Sequence, residues 1–255
     1  METAKRNAGE LVDALAFRRD RFGLVADVFA REAPEPSVSG MLEQARAYEG
    51  ALDESIEAKL NEGLRALPCE DLPAFATQTR TEYARLFLGP RDVKAPLHES
   101  AYLSGAVRMF TAETLAVRAF YEQHGYVMKA KNREPEDGMG VELEFLRNLC
   151  DRCLALLEAD GGAAPDALGE VRRLLEAQKS FKEQHLHRWA EAFVQRVVDN
   201  DQSGFYAAWA AYLLGVLRED DELLDECLEL LSDAERACPT RDFCARSGVN
   251  AKVEP

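Results

Sequence analysis

The sequence predicts an all-α protein, a single bundle of about ten helices, and three observations carry that prediction. Apolar residues recur at intervals of three and four along nearly the whole chain, alternating β-branched runs are absent, and glycine and proline cluster at the points where the helical period lapses. At 255 residues the chain is long enough to bury a large core.

In order, Leu11, Leu15, Phe22, Val25 and Phe29 form one stripe, ended by Pro34 and Pro36 in APEPS, which predicts a first helix of about 25 residues. Shorter helices follow over Val38 to Glu49, Ser55 to Leu67 and Leu72 to Leu88. The spacing then predicts one long helix from Ser100, a good N-cap, to His124, closed by Gly125. The stretch GYVMKAKNREPEDGMG has no period and mixes glycine, proline and both charge signs, so 125–140 reads as a hinge loop between an N-terminal half (1–124) and a C-terminal half (141–237). Helices resume over Val141 to Glu158, pause at DGGAAPD, and continue over Ala167 to Glu183, Leu186 to Val198, Gly204 to Arg218 and Glu222 to Ala237. Residues 238–255 hold few apolar side chains and read as a flexible tail.

Composition narrows the function. With 31 basic and 46 acidic side chains the formal charge is −15, which argues against nucleic acid or an anionic membrane as partner and suits a basic one; a merely solvated acidic surface fits as well. The longest uncharged apolar stretch, FYAAWAAYLLGVL at 205–217, has 13 residues, well short of the roughly 20 that span a bilayer, and no secretory core opens the chain, so the expected compartment is the cytoplasm. Six cysteines in such a setting read as reduced thiols.

No cofactor is expected. The phosphate-binding glycine patterns are missing, and Gly138 and Gly140 are followed by Leu143 where a dinucleotide fingerprint needs glycine. Asp199, Asp201, Ser203 and Gly204 copy half of a calcium loop, but its twelfth position is Ala210, and a helix-ending turn with Ser203 as the next N-cap explains them. Cys150 and Cys153 share the spacing of redox and zinc pairs, yet sit deep in a helical stripe with Leu146, Leu149 and Leu157, as buried small side chains do. A zinc site would need Cys238 and Cys244 as further donors. His185 and His187 point about 200° apart on a helix and cannot chelate together, whereas His185 and Trp189 share a face and suit a packing pair. No nucleophile stands beside a general base, so no enzyme is predicted.

The stretch YARLFLGPRDVKAPLHESAY at 83–102 places a helix stop at Gly89-Pro90, a stiffening Pro96 and a restart at Ser100. Flanked by Tyr83, Leu86 and Phe87, with Glu82 and Glu99 as a negative rim, it could offer a groove to a peptide with basic and apolar parts; the same three apolar residues also suit a core.

Tyr83-x-x-Leu86-Phe87-x-Gly89-Pro90 followed by Pro96-x-His98-Glu99-Ser100-x-Tyr102 resembles the signature of the TorD/DmsD family of redox-enzyme maturation chaperones. Glu134-Pro135-Glu136-Asp137, Glu142-Leu143-Glu144-Phe145-Leu146, His185-Leu186-x-x-Trp189 and Phe205-Tyr206 agree in order, so the resemblance covers roughly residues 10 to 220. It implies a helical cytoplasmic protein without a catalytic centre, which binds the twin-arginine leader or the body of a molybdopterin-dependent oxidoreductase subunit until its cofactor is inserted and delays its export. By motif match Leu86, Phe87, Gly89, Pro90, Pro96, Glu99, Ser100, Tyr102, Pro135 and Asp137 become the peptide-binding candidates. Asp137 is followed by Gly138 where the family usually has histidine, so a step resting on that histidine, including the guanine-nucleotide binding proposed for some relatives, does not carry over. The resemblance also implies a monomer or a dimer that swaps its C-terminal helices. A cysteine-based metal protein and a helical scaffold without a groove are the alternative readings.

Overall fold

A computed structural model describes residues 2–48, 54–89, 93–104, 110–129, 135–159 and 165–237. Pro90, Glu134, most of the DGGAAPD turn and the predicted tail with Cys238 and Cys244 lie outside those residues. The described residues are helical almost throughout, as predicted.

Helix α1 (Glu2–Phe29) is the axis of the bundle, with α7 (Met139–Ala159) and α10 (Phe205–Ala237) packed along it. Its predicted stripe of Leu11, Leu15, Phe22, Val25 and Phe29 is buried throughout. Beyond Pro34, α2 (Glu35–Ala47) and α3 (Ile56–Arg65) fold back, and the Ser55 hydroxyl caps α3 by accepting from Ala58 N at 3.2 Å. Helix α4 (Leu72–Phe87) opens with the Asp71 carboxylate accepting from Ala74 N. It stops where predicted: Leu88 is extended and Gly89 takes φ 142°, a conformation that favours glycine.

Three predicted boundaries are corrected. The helix expected over Ser100 to His124 is two, α5 (Glu99–Leu103) and α6 (Ala112–Gln123), because Phe110 sits at φ 60° and Thr111 is extended, and neither fits a helix interior. Helices α8 (Pro165–Phe181) and α9 (His187–Asn200) do not pause between them but run on through a π turn, Lys182–Leu186. The two last predicted helices are one, α10, with no break at Arg218-Glu219-Asp220-Asp221.

The charged run stays helical because Asp220 points inward to two buried cations. Arg18 of α1 donates from Nε to Asp220 Oδ1 at 2.7 Å and Lys182 of the π turn donates to Oδ2 at 2.6 Å; Arg18 also donates to Gln178 of α8 at 2.8 Å. All four side chains are buried. This knot ties α1, α8, the π turn and α10 together. Elsewhere close approach does the same work: a Cβ on Gly140 would fall 2.4 Å from Ala30 Cα, so glycine lets the start of α7 rest on the chain leaving α1. Aromatic rings fill the space between α1, α4, α9 and α10, where Phe29, Tyr83, Phe87, Phe193 and Tyr206 meet mostly edge to face. Among the described residues no helix is long and apolar enough to cross a membrane.

Burial alone would raise the Asp220 carboxyl, but Arg18 and Lys182 outweigh it and hold it below the usual carboxylate range. Its folded-state value is depressed, so its contribution is present above the unfolded value of about 3.9 and is lost as the pH falls through the folded-state value. Asp220→Asn strands two buried cations and is expected to cost about 3–5 kcal/mol in urea unfolding. Asp221→Asn, at a half-exposed neighbour that also meets Lys182, is expected to cost under about 1 kcal/mol. Equal losses in the two variants would contradict this account of α10.

Candidate functional site

Three stretches far apart in sequence meet beside α9. Leu97 to Glu99 lies antiparallel to Asp137 to Met139: Glu99 N donates to the Asp137 carbonyl at 2.9 Å and Met139 N to the Leu97 carbonyl at 2.8 Å. Helices α5 and α7 therefore start side by side. The Asp137 carboxylate is wholly buried and accepts from Ser100 N and from the Thr114 hydroxyl of α6, each at 3.0 Å. Ser100 is thus not the N-cap expected of it. The α5 amide is capped across space by Asp137, and Ser100 lies inside the first turn. Next to it Glu136 takes a two-pronged bond from Arg118 at 2.7 and 3.0 Å.

Behind this junction stand two more fully buried carboxyls, Glu99 and Glu142. His185 Nδ1 lies 2.9 Å from Glu99 Oε2, and Trp189 Nε1 donates to Glu142 Oε2 at 3.4 Å. Burial first, then the negative charges of Glu99 and Asp137, push the Glu142 carboxyl well above the usual range, which favours its neutral acid. Burial also lowers the His98 imidazole, favouring its uncharged form, although Asp137 is 4.0 Å away. Several buried polar atoms here have no hydrogen-bond partner: Glu99 Oε1, Glu142 Oε1, Tyr102 Oη and His98 Nδ1. A site with unpartnered polar atoms can receive polar groups of another molecule.

The predicted peptide-binding residues divide into two groups. Pro96, Glu99, Ser100, Tyr102, Pro135 and Asp137 belong to this junction; Glu99, Ser100 and Asp137 are buried, while Pro96, Tyr102 and Pro135 are partly exposed. Tyr102 packs on Trp189 with centroids 5.4 Å apart, and the Arg196 guanidinium lies 4.9 Å from its ring centre. Leu86 and Phe87 sit in the aromatic core instead, with the Leu86 carbonyl bound by Ala95 N at 2.9 Å. Gly89 is exposed and Pro90 is outside the described residues. The negative rim assigned to Glu82 and Glu99 is corrected, because both carboxylates are inside: Glu82 is held by Arg85 and by Gln202 N at 2.7 Å.

Sequence reasoning quoted Glu142 in a motif but did not name it or Thr114 among the candidates, and it took His185 and Trp189 as a packing pair without their carboxyl partners. For Glu142 a signal existed: it shares a helix face with Phe145, Leu146 and Leu149, where a charged residue needs a reason. The other motifs have local explanations. Cys150 and Cys153 are buried, and burial pushes the Cys150 thiol up to about 12, far from a reactive thiolate. Among the described residues no three His, Cys, Asp or Glu side chains are grouped to hold a metal. Asp201 accepts from Ser203 N and Ala207 N, both at 2.8 Å, and so caps the start of α10.

Glu142 offers a test of the buried charge. The native state keeps a proton that an unfolded glutamate releases above about pH 4.3, so the stability this group contributes falls as the pH rises from there through its folded-state value. Glu142→Gln copies the neutral acid and is expected to change stability at pH 5 by less than about 1 kcal/mol. In urea titrations from pH 5 to 8 the variant should lose less stability than the parent; parallel curves would show Glu142 to be ionised throughout.

A family model described as "Nitrate reductase delta subunit" matches residues 49–195, more than half of the chain, and takes in all three stretches of the junction. Curated relatives include the chaperone protein TorD of Vibrio cholerae serotype O1 (strain ATCC 39541), 29% identical over 113 residues that cover 44% of this chain and 47% of the relative. A probable Tat proofreading chaperone DmsD of Haemophilus influenzae is 26% identical over 165 residues, 65% of this chain and 70% of that one. The chaperone protein TorD of Aliivibrio fischeri is 24% identical over 195 residues, 76% and 77% of the two. Against the Vibrio cholerae relative the match thus spans just under half of that protein's length. Matched by the family model across most of its helices and by relatives named TorD and DmsD, this chain belongs to the nitrate reductase delta subunit family, the family of the TorD and DmsD chaperones.

Proposed function

We propose that this protein is a cytoplasmic chaperone dedicated to one redox enzyme, and that it is not itself an enzyme. Its client is a molybdopterin-dependent oxidoreductase subunit, bound through its twin-arginine leader, its cofactor-free body or both, so that cofactor insertion precedes export. One observation carries the reading: Pro96 to Tyr102, Pro135 to Glu142 and His185 to Trp189, three of the stretches on which the family resemblance rests, converge on one junction with unpartnered polar atoms. The relatives' names, chaperone and Tat proofreading chaperone, point the same way.

The chemistry suits such a partner. A twin-arginine leader joins two guanidinium groups to an apolar segment. The chain's charge of −15 draws a cationic peptide in, and Pro96, Tyr102 and Pro135 offer partly exposed apolar surface next to buried carboxyls. Leu86 and Phe87 would serve this surface from behind, by fixing the end of α4. The chaperone acts as a monomer, or as a dimer that exchanges the helices beyond 125–140.

Titration of the full chain with a fluorescent synthetic twin-arginine leader is the direct test, and saturable binding is expected. Tyr102→Phe separates contact from folding. Its hydroxyl has no partner in the free protein, so its loss should leave the melting temperature equal or higher. Leader affinity should fall about five- to tenfold, roughly 1–1.4 kcal/mol. Unchanged affinity would remove Tyr102 from the binding surface, and no saturable binding by the parent would remove leader recognition.

A further inference from the structure

The first turn of α7 is fixed on two sides and loose on a third. Asp137 ties the residues before it to α5 and α6, and Gly140 rests on Ala30 with no room for a Cβ between them. Toward α9 it is held by one weak bond, from Trp189 Nε1 to Glu142 Oε2 at 3.4 Å. Glu142 is wholly buried, and its other oxygen has no partner.

Every cation near Glu142 is engaged elsewhere. Glu99 and Asp137 add negative charge around it, and the Tyr121 hydroxyl of α6 donates to the Glu136 carbonyl at 3.3 Å. Arg118 is committed to Glu136 by two bonds, and His185 to Glu99. Arg188 comes only within 3.7 Å of Glu99 and donates to the Gln184 carbonyl, while the His98 imidazole lies 4.0 Å from Asp137. Closed, the site accommodates Glu142 as the neutral acid; as a carboxylate, Glu142 has to be reached by water.

The element that can give way is the start of α9. It follows directly on the π turn Lys182–Leu186, a helix irregularity of the kind found at functional sites. Before it, Lys182 is pinned on Asp220; after it, Phe193 is packed in the aromatic core against Phe29. A displacement is therefore confined to the turn that carries Trp189.

We propose that Glu142 is a pH-sensitive latch between α7 and the first turn of α9, closed while its carboxyl holds a proton and opened when that proton leaves to solvent. Opening draws Trp189 off Glu142 and admits water to the carboxylate, and Tyr102, whose ring packs on the indole at 5.4 Å, shifts with it. The rest of the fold stays in place, because the Asp137 bonds, the Asp220 knot and the aromatic core do not involve Glu142. The latch does not rest on the chaperone reading; it adds to it a means of changing the surface around Tyr102.

Tryptophan fluorescence reads the latch directly, since the chain has two tryptophans, Trp189 and Trp209. In full-length Trp209→Phe the sole indole is Trp189. Its quenching by acrylamide is expected to rise several-fold in one reversible step as the pH goes from 5 to 9, with helicity by circular dichroism constant. Glu142→Gln in the same background keeps the neutral shape and is expected to stay weakly quenched throughout. His98→Asn and His185→Asn keep a nitrogen near the place of Nδ1 but do not titrate, and the step is expected to survive in each. Flat quenching in the Trp209→Phe protein, or an unaltered step in the Glu142→Gln variant, would overturn the proposal. Loss of the step in either histidine variant would overturn it too, by making an imidazole the titrating group, and so would a parallel loss of helicity, by making the step global unfolding. Leader binding is measured separately, and none of these outcomes decides it.

Discussion

The junction depends on where one buried carboxylate is fixed. Asp137 binds the backbone of α5 through Ser100 N and the side chain of α6 through Thr114, while its own segment runs directly into α7. Three successive helices, α5, α6 and α7, are set against one another by one side chain. From that setting follows the rest: Glu99 is turned toward His185, Glu142 toward Trp189, and Tyr102 is laid on the indole of Trp189. A buried carboxylate holds such a geometry firmly, because each donor it satisfies would otherwise be stranded away from water.

The protein handles its internal acids in different ways, and the differences separate scaffold from site. Asp220 remains charged between Arg18 and Lys182 and ties four helical segments into one unit. Glu136 and Glu82 each have an arginine partner of their own. Glu142 lacks a cation and favours its neutral form, while Glu99 has a histidine on one oxygen and only a distant guanidinium on the other. The well-paired acids stabilise the fold, and the poorly paired ones lie where the family motifs meet. In the proposed reading, these poorly paired groups are where a client would find polar partners.

Much of the fold was legible because periodicity and turn chemistry are local. The α1 stripe, the Pro34 entry to α2, the Ser55 and Asp71 caps and the Gly89 stop all follow from residues within a few positions of each other. The failures share a cause, in that the deciding contact came from afar. Ser100 looked like its own cap until Asp137, 37 residues on, supplied one. The charged run at 218–222 looked like a break until Arg18 and Lys182 drew Asp220 inward. Phe110 gives no sequence sign of its left-handed backbone, so the helix expected over 100–124 could not be divided in advance. The site was legible as a set of motifs but not as an arrangement: Leu86 and Phe87 prove to be core, and Glu82 and Glu99 lie inside where a rim was expected. Glu142 apart, whose apolar helix face marks it, the acids of a chain of charge −15 gave no hint of which ones would turn inward.

The central claim is that the protein holds one redox-enzyme subunit before that subunit is complete. Affinity capture of the tagged full chain from its own cells under anaerobic respiration, followed by mass spectrometry of what remains bound, tests it most directly. The account predicts strong enrichment of a single molybdopterin-dependent oxidoreductase subunit with its twin-arginine leader uncleaved. A clean preparation that retains no such subunit under conditions where the enzyme is made would contradict it.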